Sequence, residues 1–557
     1  MKILLAAVNA KYIHSNLAIY SLKAAAQPYK EQIETAEYTI NQRMDEILGD
    51  IYRKQPDVVA FSCYIWNRSL VGVLVDELPQ ILPGTKIWVG GPEASYDAGV
   101  FLSEHPNVAG VMRGEGEQIF RELAAFYIEG KKDLTQIPGL TFRGEDGILK
   151  ETPAVSCLDL NRLPFAYEDL GALKHKIVYY ESSRGCPFSC SYCLSSIDKG
   201  IRYKSLERVK KELSLFLEAR VPQVKFVDRT FNCHPVRTAE LWRWIMEQDN
   251  GVTNFHFEVA ADLITEEELA LMSRMRPGLI QLEAGIQSVN TDTLEAIGRV
   301  MDLKRLKENV KRIKSFQNIH QHLDLIAGLP KEDIKSFQHS FDEVFHMKPE
   351  QLQLGFLKVL RGTRIQKEAV EYRIQCHHTP PYEVFSTHCL SYEDLLLLKS
   401  VEEMVEVYYN SQQFARTLEE ILKRYKSPFM FFQELGKYYE EEGKDKVNHS
   451  RMARYEILRA FLKKKGWADP VFDQCMICDL YARENLKSRP SFAADLGKYK
   501  KTLREYARVY GKQIHIEVFE CKDGPVFVLF DYQKRNPLTK EARIQALPYE
   551  REGKNDL

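Results

Sequence analysis

The sequence lacks a long hydrophobic run and a strong charge of either sign. Its 77 Lys and Arg stand against 78 Asp and Glu, so the net charge of -1 gives no overall attraction to nucleic acid or to a membrane surface. No apolar stretch is long enough to cross a bilayer. The apolar N-terminal run is interrupted by Asn9, Lys11 and His14, which is untypical of a signal peptide. We therefore expect no membrane partner.

Cysteine is also too sparse for a disulfide framework, with eleven unevenly spread over 557 residues. This usage favours a reducing compartment, and we expect a cytoplasmic protein. The hydrophobic content of 44% and charged content of 28% are ordinary for a soluble globular chain. The length exceeds what one core normally supports, so two or three domains are expected.

Three of the cysteines stand close together, directly after the strand-like run IVYYES. Cys186, Cys190 and Cys193 have the spacing C-x3-C-x2-C. Three thiolates can hold three irons of a 4Fe-4S cluster and leave the fourth open for chemistry, whereas a closed cluster or a structural zinc needs a fourth ligand nearby. The next cysteine, Cys233, lies a strand-helix unit downstream. The alternative is three buried cysteines in register by chance.

With Tyr192 directly before the third cysteine, this loop resembles the cluster loop of the radical S-adenosylmethionine (SAM) superfamily. The resemblance implies that the three cysteines are the catalytic cluster ligands and that Tyr192 lies beside the cofactor. It further implies that SAM chelates the open iron and is cleaved reductively to a 5′-deoxyadenosyl radical. Such a reaction needs a reductant such as flavodoxin or ferredoxin.

Residues 1–135 alternate strand-like and helix-like runs, which predicts a doubly wound parallel sheet. Ligands on such sheets bind beyond the carboxyl ends of the strands. Glycines at those ends let the backbone approach a ligand closely. The candidate ligand-binding residues at these ends are Asn9, Ser62, Gly90, Gly91, Glu93, Gly114, Glu115 and Gly116.

The runs VGGPEAS and VMRGEGEQIF, in this order before a cluster loop, resemble the cobalamin-binding domain of one large radical SAM class. The resemblance implies that the corrin lies on these loops with its nucleotide tail in the sheet. The chain lacks D-x-H-x-x-G, and neither His14 nor His105 has that context. Cobalamin would then bind without a protein histidine on cobalt. The alternative is a doubly wound domain that has lost its ligand and serves as a scaffold or partner surface.

Residues 136–176 contain two strand-like pieces around an Asp-Gly turn and a proline-rich stretch, and we interpret them as a linker. Residues 177–365 resume the alternation with six strand candidates, which predicts a partial parallel (β/α)6 barrel whose carboxyl strand ends ring the site. The strand candidates are IVYYES, QVKFVD, FHFEVA, LIQLEA, HLDLIA and LQLGFL.

Polar residues near the ends of these strands are candidate SAM contacts, because an unpaired polar group among apolar neighbours is costly. They are Glu258, Glu283, Gln287 and Asp324. The runs LEAGIQS and DLIAGLP, with Arg299 after the first, resemble those of the coproporphyrinogen-oxidase-like and methylthiotransferase-like branches. The resemblance implies that Glu258, Gln287, Arg299 and Asp324 contact SAM, with Arg299 suited to the carboxylate and Asp324 to the ribose. Salt bridges or strand-end hydrogen bonds are the alternative for each residue.

Many members of that family have a glycine-rich turn at the second strand, and VDRTFN in this chain has no glycine there. Asp228, Arg229 or Asn232 would then replace the backbone contact to the methionyl amine or face the substrate. Asp228 and Arg229 could equally form a plain ion pair.

Residues 366–557 have helical periodicity and end in a hairpin pattern, IHIEVFE and VFVLFDYQ around a Lys-Asp-Gly-Pro turn. Basic residues interleaved with tyrosines could bind RNA, but we favour the solvated faces of amphipathic helices. Cys475 and Cys478 form a lone C-x2-C, which we interpret as two buried helix cysteines.

Together these patterns predict an α/β protein with a doubly wound, Rossmann-like N-terminal domain, a partial (β/α)6 barrel and a mainly helical C-terminal domain. The resemblance implies that the first domain binds cobalamin and that the second is a radical SAM barrel. The resemblance implies a radical SAM enzyme with a 4Fe-4S cluster, SAM and cobalamin that methylates an unactivated carbon of an unknown substrate. One alternative is another radical reaction, such as rearrangement, cyclisation or methylthiolation. A second, of another class, is an iron-sulfur RNA- or protein-binding factor without SAM turnover.

Overall fold

The computed structural model describes residues 1–130, 133–197, 200–511 and 513–548. Its first part is a seven-stranded sheet of order β2-β1-β3-β4-β5-β6-β7, in which the pairs among the first five strands are parallel. The strands are β1 (Ile3–Asn9), β2 (Ile33–Thr39), β3 (Val58–Ser62), β4 (Lys86–Gly90), β5 (Val108–Met112), β6 (Leu140–Arg143) and β7 (Leu149–Glu151). The helices are α1 (Leu17–Ala25), α2 (Met44–Lys54), α3 (Arg68–Ile81), α4 (Pro92–Ser95), α5 (Ala98–Glu104) and α6 (Gly116–Glu129).

This sheet is apolar on both faces. In β1, Ile3 and Leu5 pack into a core with α1 and α6, whereas Leu4 and Ala6 pack into a separate core with α2, α3 and α5. Successive side chains of a strand point to opposite faces, so a strand covered by helices on both sides must be apolar throughout. The doubly wound fold predicted from the alternating runs of residues 1–135 is thereby confirmed.

The first domain extends beyond the predicted boundary at residue 135. The strands β6 and β7 lie in the segment interpreted as a linker, yet β6 pairs with β5 and β7 pairs with β6, both antiparallel. Leu140 and Phe142 are buried against the first sheet, which explains why this hairpin adds to it instead of forming a tether. The connecting stretch starts only after Glu151.

The second sheet has six parallel strands in chain order, which confirms the partial barrel. The strands are β8 (Val178–Tyr180), β11 (Gln223–Phe226), β12 (Asn254–Glu258), β13 (Ile280–Gln287), β14 (His320–Ala327) and β15 (Gln351–Phe356). A short antiparallel ribbon, β9 (Ser183–Arg184) and β10 (Arg202–Tyr203), follows the first of them. The helices are α7 (Leu206–Glu218), α8 (Pro235–Glu247), α9 (Glu266–Met272), α10 (Thr291–Ala296), α11 (Leu303–Phe316) and α12 (Ile334–Phe345).

The barrel helices follow the predicted periodicity. In α11 the residues Leu306, Val310 and Ile313 recur at three and four and are buried, while the lysines and arginines between them face outward. The Asp302 side chain accepts a hydrogen bond from the Arg305 N–H and caps the helix. Each helix therefore covers the outside of the barrel with one apolar stripe.

The remaining chain is mainly helical, as predicted. Its helices are α13 (Arg364–Glu368), α14 (Tyr392–Met404), α15 (Ala415–Leu422), α16 (Pro428–Glu441), α17 (Arg451–Lys464), α18 (Pro470–Arg483) and α19 (Lys500–Tyr510). Its strands are β16 (Gln375–Cys376), β17 (Val384–Ser386), β18 (Ile514–Cys521), β19 (Gly524–Arg535) and β20 (Ala542–Leu547). The hairpin of β18 and β19 matches the predicted one, and β20 adds a third strand to it.

Helices α14 to α18 share one core with the barrel. Phe341 of α12 packs against Phe429 of α16 (5.5 Å between ring centroids), and Phe345 packs against Phe432 (5.8 Å). Within the described ranges, no helix has both the length and the apolar character needed to span a bilayer.

Candidate active site

The cysteine loop follows β9 and is fixed at its start and middle. Gly185 has a φ of +102°, and a Cβ at this position would lie 2.0 Å from the carbonyl oxygen of Gly200. Only glycine fits there without moving the backbone. Further along, the Ser191 N–H donates to the Ile297 carbonyl oxygen (2.8 Å). The loop is therefore fixed by two contacts: Gly185 packs against Gly200 at its start, and Ser191 bonds to Ile297, just after α10, in its middle.

The three thiols fit an iron-sulfur cluster better than a single ion. All are free, and Cys190 is 5% exposed. Among the described residues, the three sulfurs do not all come within 4.8 Å of one another. Zinc with Zn–S bonds of about 2.3 Å would need its sulfurs less than about 4 Å apart. The wider spacing suits a polynuclear cluster. The next cysteine along the chain, Cys233, has its thiol 3.2 Å from the Tyr203 hydroxyl.

Asp228 ties the first two barrel strands together beneath this loop. Its buried carboxylate accepts hydrogen bonds from the Ser182 N–H (2.8 Å), the Ser182 hydroxyl (2.6 Å) and the Ser183 hydroxyl (2.6 Å). These bonds fix the chain between β8 and the cysteine loop. The Asn232 side chain likewise bonds the backbone of Ala260 in both directions (2.9 Å each). Asp228 and Asn232 therefore stabilise the backbone segments around the site.

Arg299 and Gln287 lie beside the loop with polar atoms unused. Arg299 Nη1 is 3.6 Å from Cys190 Sγ and Nη2 donates to Gly285 O, while its buried Nε has no partner. Burial opposes the charge of Arg299, but Tyr192 and the Cys190 thiol raise its pKa on balance. Gln287 has a φ of +72° and a buried Oε1 without a partner. A strained residue and orphaned polar atoms at one place are what a bound polar ligand would satisfy.

Glu258 and Glu283 face the interior of the barrel in different charge environments. Burial raises the pKa of Glu258 to about 7, although the nearby Arg229 lowers it. Glu283 Oε2 lies 2.9 Å from Lys225 Nζ and 2.9 Å from His256 Nε2. Burial would raise the pKa of Glu283, but His256 and Lys225 hold it well below its usual range. Glu283 is thus ionised, and Glu258 changes its charge near neutral pH.

Asp324 lies on the neighbouring strand beside His322. The His322 Nε2 is 3.0 Å from Asp324 Oδ1, but the two atoms are not aligned as a hydrogen bond, and both are buried. Burial raises the pKa of Asp324, against the effect of His322. As SAM contacts, Glu258, Glu283 and Asp324 stay predictions.

The predicted cobalamin residues lie at one edge of the first sheet. Ser62 is the register partner of Gly90, and Asn9 ends the adjacent β1. Gly91 has a φ of +100°, and a Cβ there would lie 2.4 Å from Cys63 O. Asn9 donates to the His14 carbonyl oxygen (3.0 Å).

Other predicted residues at this edge bond to later parts of the chain. The buried Glu93 accepts from the Tyr382 hydroxyl (2.9 Å). Glu115 pairs with Arg202 and lies 3.4 Å from Arg184. These two carboxylates therefore help to hold the first domain against the barrel and the C-terminal part. Gly114, with a φ of +88°, and Gly116 flank Glu115 in the turn that leads into α6.

The carboxyl edges of the two sheets face each other. His14 Nδ1, beyond β1, is 2.8 Å from the Tyr179 hydroxyl of β8. Arg184, beyond β8, donates to Glu117 (2.7 Å), which lies beyond β5. The stacked rings of Tyr64 and Trp66, 4.5 Å apart, follow β3 at the same edge. Loops from both sheets thus enclose one region.

Three polar residues of the barrel interior were not predicted as site residues. Lys225, His256 and His322 alternate with apolar residues in β11, β12 and β14. That alternation places them in the barrel interior and was a usable signal.

His105 contacts Asp76 (2.9 Å) and Arg68 (3.1 Å) and has a structural role. Cys475 and Cys478 lie on α18, away from any group of described residues with metal-ligand spacing.

Three family models match the chain. A B12 binding domain matches residues 3–124, the radical SAM superfamily matches residues 180–344, and a protein family of unknown function, DUF4080, matches residues 370–522. The first two matches coincide with the two sheets, and the third falls on the helical part.

Curated relatives match between half and three-fifths of the chain. The 2-(S-pantetheinyl)-carbapenam-3-carboxylate methyltransferase of Streptantibioticus cattleyicolor is 30% identical over 313 residues, which are 51% of this chain and 44% of that protein. The cobalamin-dependent radical SAM methyltransferase TokK of Streptomyces tokunonensis is 28% identical, with the same coverage. The chain thus spans less than half the length of either relative. An uncharacterized methyltransferase of Pyrococcus horikoshii is 26% identical, over 58% of this chain and 72% of that one.

Two solved structures share the fold. The cobalamin-dependent S-adenosylmethionine radical enzyme OxsB, with aqua-cobalamin bound, has a TM-score of 0.61 at 14% identity and covers 86% of this chain and 78% of its own. The radical S-adenosylmethionine methyltransferase TsrM of Kitasatospora setae, with cobalamin and a [4Fe-4S] cluster bound, has a TM-score of 0.55 at 16% identity, over 69% of this chain and 79% of its own.

Proposed function

Because the chain belongs to the radical SAM enzymes that carry a B12-binding domain, we propose that it is a cobalamin-dependent methyltransferase acting on an unactivated carbon. The observation that carries the proposal is the facing of the two carboxyl edges, one with the cysteine loop and one with the glycine-bearing strand ends. When bound, the cluster and SAM supply a 5′-deoxyadenosyl radical, and methylcobalamin supplies a methyl group.

In this proposal the chain's own residues hold and orient the groups. Cys186, Cys190 and Cys193 bind three irons, and Gly185 sets the course of the loop that carries them. Asp228 anchors the loop through Ser182 and Ser183, so that the thiols stay in place when a ligand binds. Such fixed placement matters because a carbon radical must meet its target before it meets water or a reductant.

SAM is held by groups that the free protein leaves unused. Arg299 donates to the methionyl carboxylate through Nε, which has no partner in the free protein. The side-chain amide of Gln287, whose Oε1 also has no partner, forms a hydrogen bond with SAM. Glu258 binds a cationic or hydroxyl group of SAM in its ionised form, and Asp324 binds the ribose. Tyr192, next to Arg299, closes the side of the site. Glu283 as a SAM contact stays a prediction, since Lys225 and His256 already lie against its carboxylate (2.9 Å each).

Cobalamin occupies the opposite edge in the same proposal. The residues assigned to it are Asn9, Ser62, Gly90, Gly91, Glu93, Gly114, Glu115 and Gly116. Gly91 lets the loop after β4 pack directly against the Cys63 backbone, which fixes the course of the loop assigned to the corrin. His14 and His105 are both engaged within the protein, which supports a corrin without a protein imidazole on cobalt.

A reductant such as flavodoxin or ferredoxin and a reducing, cytoplasmic setting complete the proposal. All eleven cysteines fall in the described ranges and are free, in keeping with such a compartment. The basic C-terminal residues do not require an RNA partner, because several pair with carboxylates. Lys465 lies 2.8 Å from Glu434, and Lys498 lies 2.7 Å from Glu520.

The first test measures SAM cleavage by full-length, cluster-reconstituted protein with dithionite. We expect 5′-deoxyadenosine from the parent and none from Cys190→Ala. The matched control is Cys478→Ala, which removes a helix cysteine outside the site and should leave the yield unchanged. Undiminished turnover in Cys190→Ala would remove the cluster from the mechanism, and no product from the well-folded parent would favour a binding protein.

The second test separates methyl transfer from other radical chemistry. With cobalamin loaded and a candidate substrate present, methyl transfer yields S-adenosylhomocysteine together with 5′-deoxyadenosine, because one SAM remethylates cobalamin and another supplies the radical. Formation of 5′-deoxyadenosine with a rearranged or cyclised product and no S-adenosylhomocysteine would refute the methyltransferase and keep the radical enzyme.

A further inference from the structure

The interior of the barrel contains a second group of ligand-type side chains, distinct from the cysteine loop. Ligand atoms of Glu283, His322 and Asp324 all lie within 4.8 Å of one another. Glu283 and His322 are register partners on the adjacent strands β13 and β14, and Asp324 follows two residues later on the same face. The backbone of two rigid strands therefore fixes the three side chains relative to each other. Among the described residues, no other group of three reaches this spacing.

The atoms in this group are not satisfied by one another. His322 Nε2 and Asp324 Oδ1 are 3.0 Å apart, yet neither makes an aligned hydrogen bond, and both atoms are buried. The His322 side chain is only 9% exposed. The two atoms lie within ion-pair distance but lack hydrogen-bond alignment, so a third group placed between them would give both a well-aligned partner. A separation near 3 Å is also the spacing of neighbouring ligands around a metal with bonds of about 2.0–2.2 Å.

The outer contacts of the group suit a ligand carboxylate. Lys225 Nζ and His256 Nε2 both lie 2.9 Å from Oε2 of Glu283. Lys225 donates a hydrogen bond to this oxygen, and His256 Nε2 lies beside it without hydrogen-bond alignment. Carboxylates that bind metals are commonly held in this way by a second layer of donors.

The charges also favour a dication. Glu283 and Asp324 place two carboxylates in one region of the barrel interior, and the Lys225 ammonium contacts the first of them at 2.9 Å. A dication between the two carboxylates would offset their mutual repulsion.

We propose that Glu283, His322 and Asp324 bind one divalent first-row metal ion inside the barrel. An imidazole with two carboxylates suits Mn²⁺, Fe²⁺ or Zn²⁺, and three protein ligands leave positions open for water or for an oxygen or nitrogen atom of a substrate. Asp324, which the proposed function assigns to the ribose, would use one carboxylate oxygen for the ion and the other for the ribose. The site does not depend on methyl transfer, and it gives Glu283 a role different from SAM binding.

The test is a titration with Mn²⁺ alone, followed by the electron paramagnetic resonance signal of the free ion. Full-length protein with its cluster oxidised is used, so that cluster iron is not counted as site metal. We expect the parent to remove one Mn²⁺ per chain from solution, and His322→Gln and Asp324→Asn to remove none at the same concentration. Lys225→Met, which alters only the outer layer, should weaken binding by about tenfold or more.

His320→Gln is the matched control, because it removes an imidazole two residues away on the same strand and should leave binding intact. Thermal unfolding with and without Mn²⁺ gives a second readout: the ion should raise the midpoint of the parent and of His320→Gln only. If His322→Gln does not fold, Lys225→Met and the parent midpoint still decide. No Mn²⁺ bound by the folded parent, or equal binding in Asp324→Asn, would overturn the site.

Discussion

Substitution of Gly185 by alanine tests how the cysteine loop is held. The residue has a φ of +102°, and its new Cβ would lie 2.0 Å from the carbonyl oxygen of Gly200. Real Cβ atoms essentially never come within 3.0 Å of such an atom, so the two backbones must separate by about 1 Å. Because Gly185 directly precedes Cys186, this movement displaces the first cluster ligand.

The cost has two parts, and the chain offers a control that separates them. Forcing a non-glycine residue into a left-handed conformation costs about 1–2 kcal/mol, offset by up to about 1 kcal/mol from the restricted unfolded chain. Gly251→Ala has the same conformational problem, with a φ of +74°, but nothing lies within 4 Å of its Cβ. We expect Gly251→Ala to lose about 1 kcal/mol and Gly185→Ala to lose at least about 2–3 kcal/mol, the excess being the clash.

Two assays read this out on reconstituted full-length protein. Iron per chain should fall sharply in Gly185→Ala and stay at the parent value in Gly251→Ala. The midpoint of thermal unfolding, measured without the cluster, should fall further in Gly185→Ala. If both variants keep their iron and unfold together, the close contact with Gly200 does not shape the loop, and the reasoning fails.

Three further predictions concern groups around the same region. SAM should bind more tightly at pH 8 than at pH 6, because burial raises the pKa of Glu258 to about 7 and the carboxylate is protonated below that value; equilibrium binding of the parent and of Glu258→Gln checks this, and only the parent should depend on pH. Asp228→Asn should destabilise the protein by about 2–3 kcal/mol, since charge-assisted bonds to Ser182 are lost; an unchanged urea midpoint would contradict it. Tyr382→Phe should cost about 1–3 kcal/mol, because the buried Glu93 carboxylate loses its donor, and equal stability of the variant and the parent would show that Glu93 finds another partner.

The parts of the fold that were predictable are those whose burial dictates composition. Strands covered on both faces, such as Val58–Ser62, must be apolar throughout and are visible as short apolar runs. The strand Ile33–Thr39 escaped prediction because it lies at the edge of the first sheet and reads IETAEYT, with only three of its seven residues buried. The strand Ala542–Leu547 escaped for the same reason.

The site was predictable where chemistry fixes residue type and not where distant segments meet. The cysteine spacing is local, so it is legible in the sequence. The contact of Arg184 with Glu117 joins residues 67 positions apart, and no local pattern marks it. The positive φ of Gln287 is equally hidden, because the residue type gives no hint of a left-handed backbone.

The C-terminal region helps to position a strand-end loop of the first domain. Tyr382 reaches the buried Glu93 in the strand-end loop of the first sheet, and Arg361 pairs with Asp97 beyond it (3.2 Å) while lying over the Tyr382 ring (5.5 Å). A segment that fixes the loop after β4 also fixes how far that loop stands from the barrel. The distance between the two carboxyl edges is therefore set by three parts of the chain, and any substrate between them must fit a gap that the helical region helps to define.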